Sequence, residues 1–224
     1  MGTNPSWTLI GVRVAVIVIG LGIWYLTQAL LAKRVQTATS TGGIRDGFHD
    51  LTAGWHRWLL KNTAQANMLL IASSLVIDLL GLYLLGSAIF GTTFQPFVGL
   101  LMLFSLRQIC QAFCPLPLPE GMIWRNPGFP TILVTYGTSN DLFFSGHTAI
   151  AIYGVLCLVT AFGPIGMILG IAIAVFEIVT VLLLRAHYTM DVFTGVIAAL
   201  YVHHLSGKVS PTVDQWLAHI VSWF

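Results

Sequence analysis

The chain has 224 residues, 8% of them charged and 56% hydrophobic, with a mean hydropathy of +0.85. A soluble globular domain carries about 25% charged residues, so this composition excludes a water-covered globule and requires a membrane. The length suits one integral membrane domain over residues 1–224 rather than two domains, and a formal charge of +2 argues against a nucleic-acid partner.

A membrane span needs about 20 largely apolar residues. The first such stretch covers residues 8–32; it is long, no basic segment precedes it, and Arg13 lies inside it, so it reads as a retained span rather than a cleaved signal peptide. Residues 33–66 form a basic loop with Lys33, Arg34, Arg45, Arg57 and Lys61. Within it, Leu51, Trp55, Trp58 and Leu59 fall on one side of a helix, the pattern of a segment lying in the membrane interface.

Further apolar stretches cover 67–90, 94–113, 145–162, 165–184 and 188–205, giving an all-α bundle of six transmembrane helices. Turn residues separate them: Gly91-Thr92-Thr93 with Pro96, the proline-rich run from Cys114 to Pro119, and Gly163-Pro164. After Pro211, the residues Val213, Trp216, Leu217, Ile220, Val221 and Phe224 recur at helical spacing and predict a second interfacial helix over 209–224. Cys110, Cys114 and Cys157 are odd in number and lie in apolar surroundings, so they read as core packing and not as a disulfide or metal set.

In a six-span chain the connections after the first, third and fifth helices share one side. That side receives Arg107, Asp141, His147, Arg185, His187 and Asp191. His187 and Asp191 are four apart and share a helix face; a carboxylate on one imidazole nitrogen frees the other to act as base or nucleophile. Ser145-Gly146-His147-Thr148 brings a second histidine to a helix start, where backbone N–H groups favour an anion. Two histidines, a carboxylate and two arginines suit phosphoryl transfer without a metal, since too few carboxylates gather for a two-metal site.

His203 and His204 lie at the opposite end of the sixth span and read as interface anchors. Asp78 and Glu177 sit deep in spans and need partners or water. Three roles stay open for them: a hydrogen bond between helices, a lipid head-group contact, or a proton path, the last keeping a transporter as an alternative to an enzyme.

The motifs Asn140-Asp141-Leu142-Phe143-Phe144-Ser145-Gly146-His147-Thr148 and His187-Tyr188-Thr189-Met190-Asp191-Val192 resemble the paired motifs of the sphingomyelin synthases, within the type-2 phosphatidic acid phosphatase superfamily. The preceding stretch 105–121 is similar as well, and its Leu116-Pro117-Leu118-Pro119 resembles that of plant phosphatidylcholine:diacylglycerol cholinephosphotransferase. The likeness covers about residues 100–205. It implies that His187 attacks phosphorus, Asp191 orients it and His147 handles the leaving group's proton. It also implies that Asp141 supports the histidines, that Arg107 binds phosphate, and that no cofactor takes part.

The lysine-led phosphate motif of the phosphatases is absent around Arg107, and Thr180-Val181 replaces their serine-arginine pair. Fewer cations favour a singly charged phosphodiester over a phosphomonoester. The resemblance therefore implies transfer of a head group, phosphocholine, from a phospholipid donor to a lipid hydroxyl acceptor, diacylglycerol or ceramide, through a phosphohistidine. A phosphatase or phospholipase C-like hydrolase using the same site is the alternative. Ser145 shapes the turn and helps hold phosphate; the glycine-led motif of intramembrane serine proteases is missing, Phe143 standing in place of its first glycine. Arg185 either clamps substrate or snorkels to lipid phosphate. The basic loop puts the catalytic side in the cytoplasm by the positive-inside rule, whereas the resemblance implies an extracytoplasmic or lumenal site.

Overall fold

The computed structural model describes residues 5–32, 44–136 and 142–223, so Lys33, Arg34, Asp141 and Phe224 lie outside the described residues. Every helix or strand within them is an α-helix: α1 (Trp7–Ala32), α2 (Gly47–Leu51), α3 (Ala53–Lys61), α4 (Thr63–Phe90), α5 (Gln95–Phe113), α6 (Gly146–Leu183) and α7 (Thr189–Val221). Four of them, α1, α4, α5 and α6, are long and apolar enough to cross a membrane. Their outward faces carry Val18, Leu26, Leu79, Ile168 and Ile171, all exposed, as a helix in contact with lipid requires.

The 38 residues of α6 do not run straight. Gly163 has a φ of +56°, a backbone state open to glycine because it lacks Cβ, and Pro164 follows without an N–H to continue the ladder. The chain reverses there. A Cβ added to Gly170 would lie 2.7 Å from Val155 Cγ1, so residues on either side of Gly163 pack face to face and the two arms are antiparallel. The separate helices expected over 145–162 and 165–184 are these two arms.

The expected break before Pro211 is absent, and no separate surface helix forms over 209–224: α7 continues through Pro211 to Val221. Tertiary contacts outweigh the proline. Asp214, on the turn after it, pairs with the buried Arg13 at 3.4 Å and accepts bonds from Thr93 Oγ1 at 2.8 Å and the Phe94 N–H at 2.9 Å. Leu217 is fully buried against Ile17, Ala88 and Phe94. In α3 the tryptophans Trp55 and Trp58 are exposed as expected, but Leu59 turns inward, beside the buried His56, to pack on Leu70, Ile123 and Leu184.

Both deep acids have structural partners. Glu177 accepts a bond from Ser73 Oγ at 2.6 Å. Asp78 accepts the N–H groups of Ile132 and Leu133 at 2.9 and 2.8 Å, and these belong to the irregular segment after α5. That segment enters the bundle, with Leu133 and Val134 buried in the main core beside Ile77, Leu80 and Ile150. A buried loop must bond its own backbone. Asp78 meets that need from α4, the Trp124 indole N–H donates to Thr135 O at 3.2 Å, and the Tyr136 and Ser74 hydroxyls pair.

Candidate active site

Two helix starts meet at the centre of the site. Ser145 caps α6: its Oγ accepts the Thr148 N–H at 3.3 Å and the Thr148 hydroxyl at 3.0 Å. The Ser145 N–H in turn donates to Asp191 O in the first turn of α7 at 3.1 Å. His147 therefore sits on a turn fixed against the helix that carries Asp191. His187 precedes α7 in a short connection that begins with Arg185 at a φ of +53°, a strained state for a residue with a side chain.

The imidazole of His187 lies with Nδ1 3.6 Å from Asp191 Oδ2, beyond a hydrogen bond but within ion-pair range. Asp191 is completely buried, and the same Oδ2 accepts the Tyr188 N–H at 2.9 Å. Among the described residues its Oδ1 and His187 Nδ1 have no hydrogen-bond partner, nor has the buried His147 Nε2. Buried polar atoms in folded proteins are normally paired, so these three are free to meet a ligand or water.

Arg107 reaches the same place from α5, its Nε donating to Phe144 O at 2.9 Å. The guanidinium passes close over the start of α6, where a side chain at residue 146 would crowd it: a Cβ there would lie 3.0 Å from Arg107 Nε and 3.2 Å from its Cζ. Arg107, Gly146, His147 and His187 line one cavity of about 40 Å³, walled by Trp124 and the segment Leu133–Thr135. The Trp124 ring meets His147 edge-on with centroids 5.1 Å apart. Gly146→Ala should displace the guanidinium and lower turnover about tenfold with little change in melting temperature; equal turnover would show that Arg107 need not lie there.

The other expected site residues fall differently. Ser145 spends its hydroxyl on the cap and does not line the cavity. Arg185 points to a neighbouring recess, donating to Glu120 O at 2.9 Å and to His49 O at 3.4 Å. Asp141 lies outside the described residues. Sequence reading missed Trp124, which no motif marks, and the α2–α3 arm, whose His49, His56 and Asp46 bond to residues 183–189. Burial pushes the His56 imidazole below its ordinary value, so at neutral pH its Nδ1–H donates to Leu183 O at 2.8 Å from an uncharged ring. Among the described residues no group of three or more His, Cys, Asp or Glu is placed to hold a metal ion.

In this helical membrane protein two histidines and an arginine share a cavity at a helix start, and the Asp191 carboxylate stands behind one of the histidines, 3.6 Å from His187 Nδ1. The AtPDCT1/2 family matches residues 45–208, most of the chain, and the chain belongs to that family of phosphatidylcholine:diacylglycerol cholinephosphotransferases. At family level the activity is transfer of phosphocholine between phosphatidylcholine and diacylglycerol, which makes this a membrane enzyme of lipid metabolism. No curated protein and no solved structure matches the chain. The family match begins well before residue 100, where the motif resemblance starts, and takes in α2, α3 and α4.

Proposed function

We propose that this chain is a single multi-pass membrane domain that moves phosphocholine from phosphatidylcholine to the hydroxyl of diacylglycerol through a phosphohistidine on His187, within the wider type-2 phosphatidic acid phosphatase superfamily. The observation that carries the reading is the sharing of one cavity by His147, His187 and Arg107 inside the family match. Six spans accommodate it: α1, α4, α5, the two arms of α6, and the first part of α7.

With Asp191 at Nδ1, the other nitrogen of His187 attacks phosphorus. The phosphorus–oxygen bond to the glycerol breaks, and the departing diacylglycerol oxygen takes a proton from His147. A second diacylglycerol then gives its hydroxyl proton back to His147 and attacks phosphorus, the nitrogen–phosphorus bond breaks, and both histidines return to their starting state. Each assisted proton transfer contributes about 10²- to 10⁴-fold. Arg107 and the N–H groups opening α6 hold the charge of the pentavalent species. Ser145 serves by setting the turn, Asp141 by supporting the histidines from within the motif, and Arg185 by holding the connection that carries His187.

The test uses purified protein in vesicles with head-group-labelled phosphatidylcholine, with and without ceramide or a diacylglycerol whose acyl chains differ from the donor's. Label in newly made phosphatidylcholine that depends on diacylglycerol is the expected result. Label in a ceramide product would change the acceptor, and acceptor-independent release of soluble phosphocholine would replace the transferase reading with a hydrolase.

A further inference from the structure

The basic segment before α4 does more than lie in the interface, because its first helix touches the connection that carries His187. The buried His49 donates from Nε2 to the carbonyl oxygen of His187 at 3.0 Å. A carbonyl only accepts, so the proton is on the imidazole. Three residues earlier, the Asp46 carboxylate accepts four bonds. Two come from the start of α2, the N–H groups of Phe48 and His49 at 3.0 and 3.2 Å; two come from the start of α7, the Thr189 N–H at 2.6 Å and its hydroxyl at 2.8 Å. One side chain thus caps two helices and fixes their relative position. Burial pushes the Asp46 carboxyl up, but the bonds from Thr189 and His49 outweigh it and hold its pKa below the ordinary carboxylate value, so it is ionised at neutral pH.

His187 needs such support. It sits between helices, so no helical ladder holds its backbone, and the residue two before it has a strained φ of +53°. The guanidinium of that residue, Arg185, is itself spread between Glu120 O and His49 O. Without the arm, the connection would relax. We infer that Asp46 and His49 are positioning residues for His187, gripping its carbonyl and the first residue of α7 so that the imidazole is held for attack. This rests on the reading of His187 as the attacking residue. The family match begins at Arg45 and so includes both residues.

The experiment compares full-length variants in the labelled phosphatidylcholine and diacylglycerol assay. His49→Phe keeps the ring volume and removes the donor; His49→Gln keeps a donor of similar reach. His49→Phe should lower kcat about tenfold, the loss of one good hydrogen bond, with KM for phosphatidylcholine unchanged. His49→Gln should recover most of that. Asp46→Ala, which releases four bonds, should lower kcat about 100-fold, the scale of a misplaced reacting group, and Asp46→Asn should fall between.

Equal losses in His49→Phe and His49→Gln would overturn the inference, since the donor would then not matter, as would wild-type kcat in His49→Phe. If Asp46→Ala does not fold, the His49 pair decides alone. The two readings fail separately: an active His187→Ala defeats the assignment of His187, whereas an inactive His187→Ala beside a fully active His49→Phe defeats only the positioning role.

Discussion

His187→Ala is expected to abolish the labelled phosphoprotein and to lower phosphocholine transfer by about 10⁴-fold or more, the scale on which removal of an attacking residue acts. In the native protein the label should be lost in acid and kept in alkali, as a phosphorus–nitrogen bond requires. His147→Ala should fail for a different reason. The proton that His147 gives to diacylglycerol is not needed by a good leaving group, so with p-nitrophenyl phosphocholine as donor the first step should survive in that variant. The second step needs His147 to accept the proton of the incoming hydroxyl, so labelled protein should accumulate and transfer stall. Loss of labelling in His147→Ala with this donor would place the covalent step on the wrong histidine. His187→Ala should stay unlabelled with either donor, and a labelled His187→Ala would remove the phosphohistidine at this position.

The parts of this molecule legible in sequence are those set by short-range chemistry. A long apolar run has few alternatives to a helix in lipid, and Gly163-Pro164 marks a reversal because the first residue supplies a positive φ and the second lacks an N–H. The spacing of four marked His187 and Asp191 as a pair, but His187 stands two residues before α7 and only Asp191 is on the helix, so the two meet across the helix start rather than along one helix face. The continuation of α7 was hidden for the opposite reason: Pro211 is a local signal, and what overrides it comes from Arg13 and Thr93, far away in the chain. Leu59 misled similarly, since a helix at an interface has two apolar neighbours, lipid and protein, and periodicity does not tell them apart. The contacts of Asp46, His49 and Trp124 with the site are all made across helices or from an irregular segment. No periodicity encodes them, and they emerged only once the bundle was closed.

Asp78→Ala is the second change expected to have a large effect, and it acts on the wall of the cavity rather than on its histidines. Asp78 is buried and holds the Ile132 and Leu133 N–H groups from α4. Removing the side chain leaves the buried Leu133 N–H without a partner, which costs about 1–3 kcal/mol, while the Ile132 N–H, on an exposed residue, turns to water at a smaller cost. Asp78→Asn retains one oxygen acceptor and should lose about half of that. Because Leu133, Val134 and Thr135 line the cavity with His147, the segment that loosens is part of the wall around that histidine. A phosphohistidine is attacked by water or by a lipid hydroxyl with similar chemistry, and access decides between them. The variant should therefore show a lower melting temperature and a larger share of label in soluble phosphocholine than in new phosphatidylcholine. Simple unfolding would lower both products together, so the ratio isolates the role of the wall. A destabilised Asp78→Asn that keeps the native ratio would show that this segment stabilises the bundle without deciding where the phosphocholine goes.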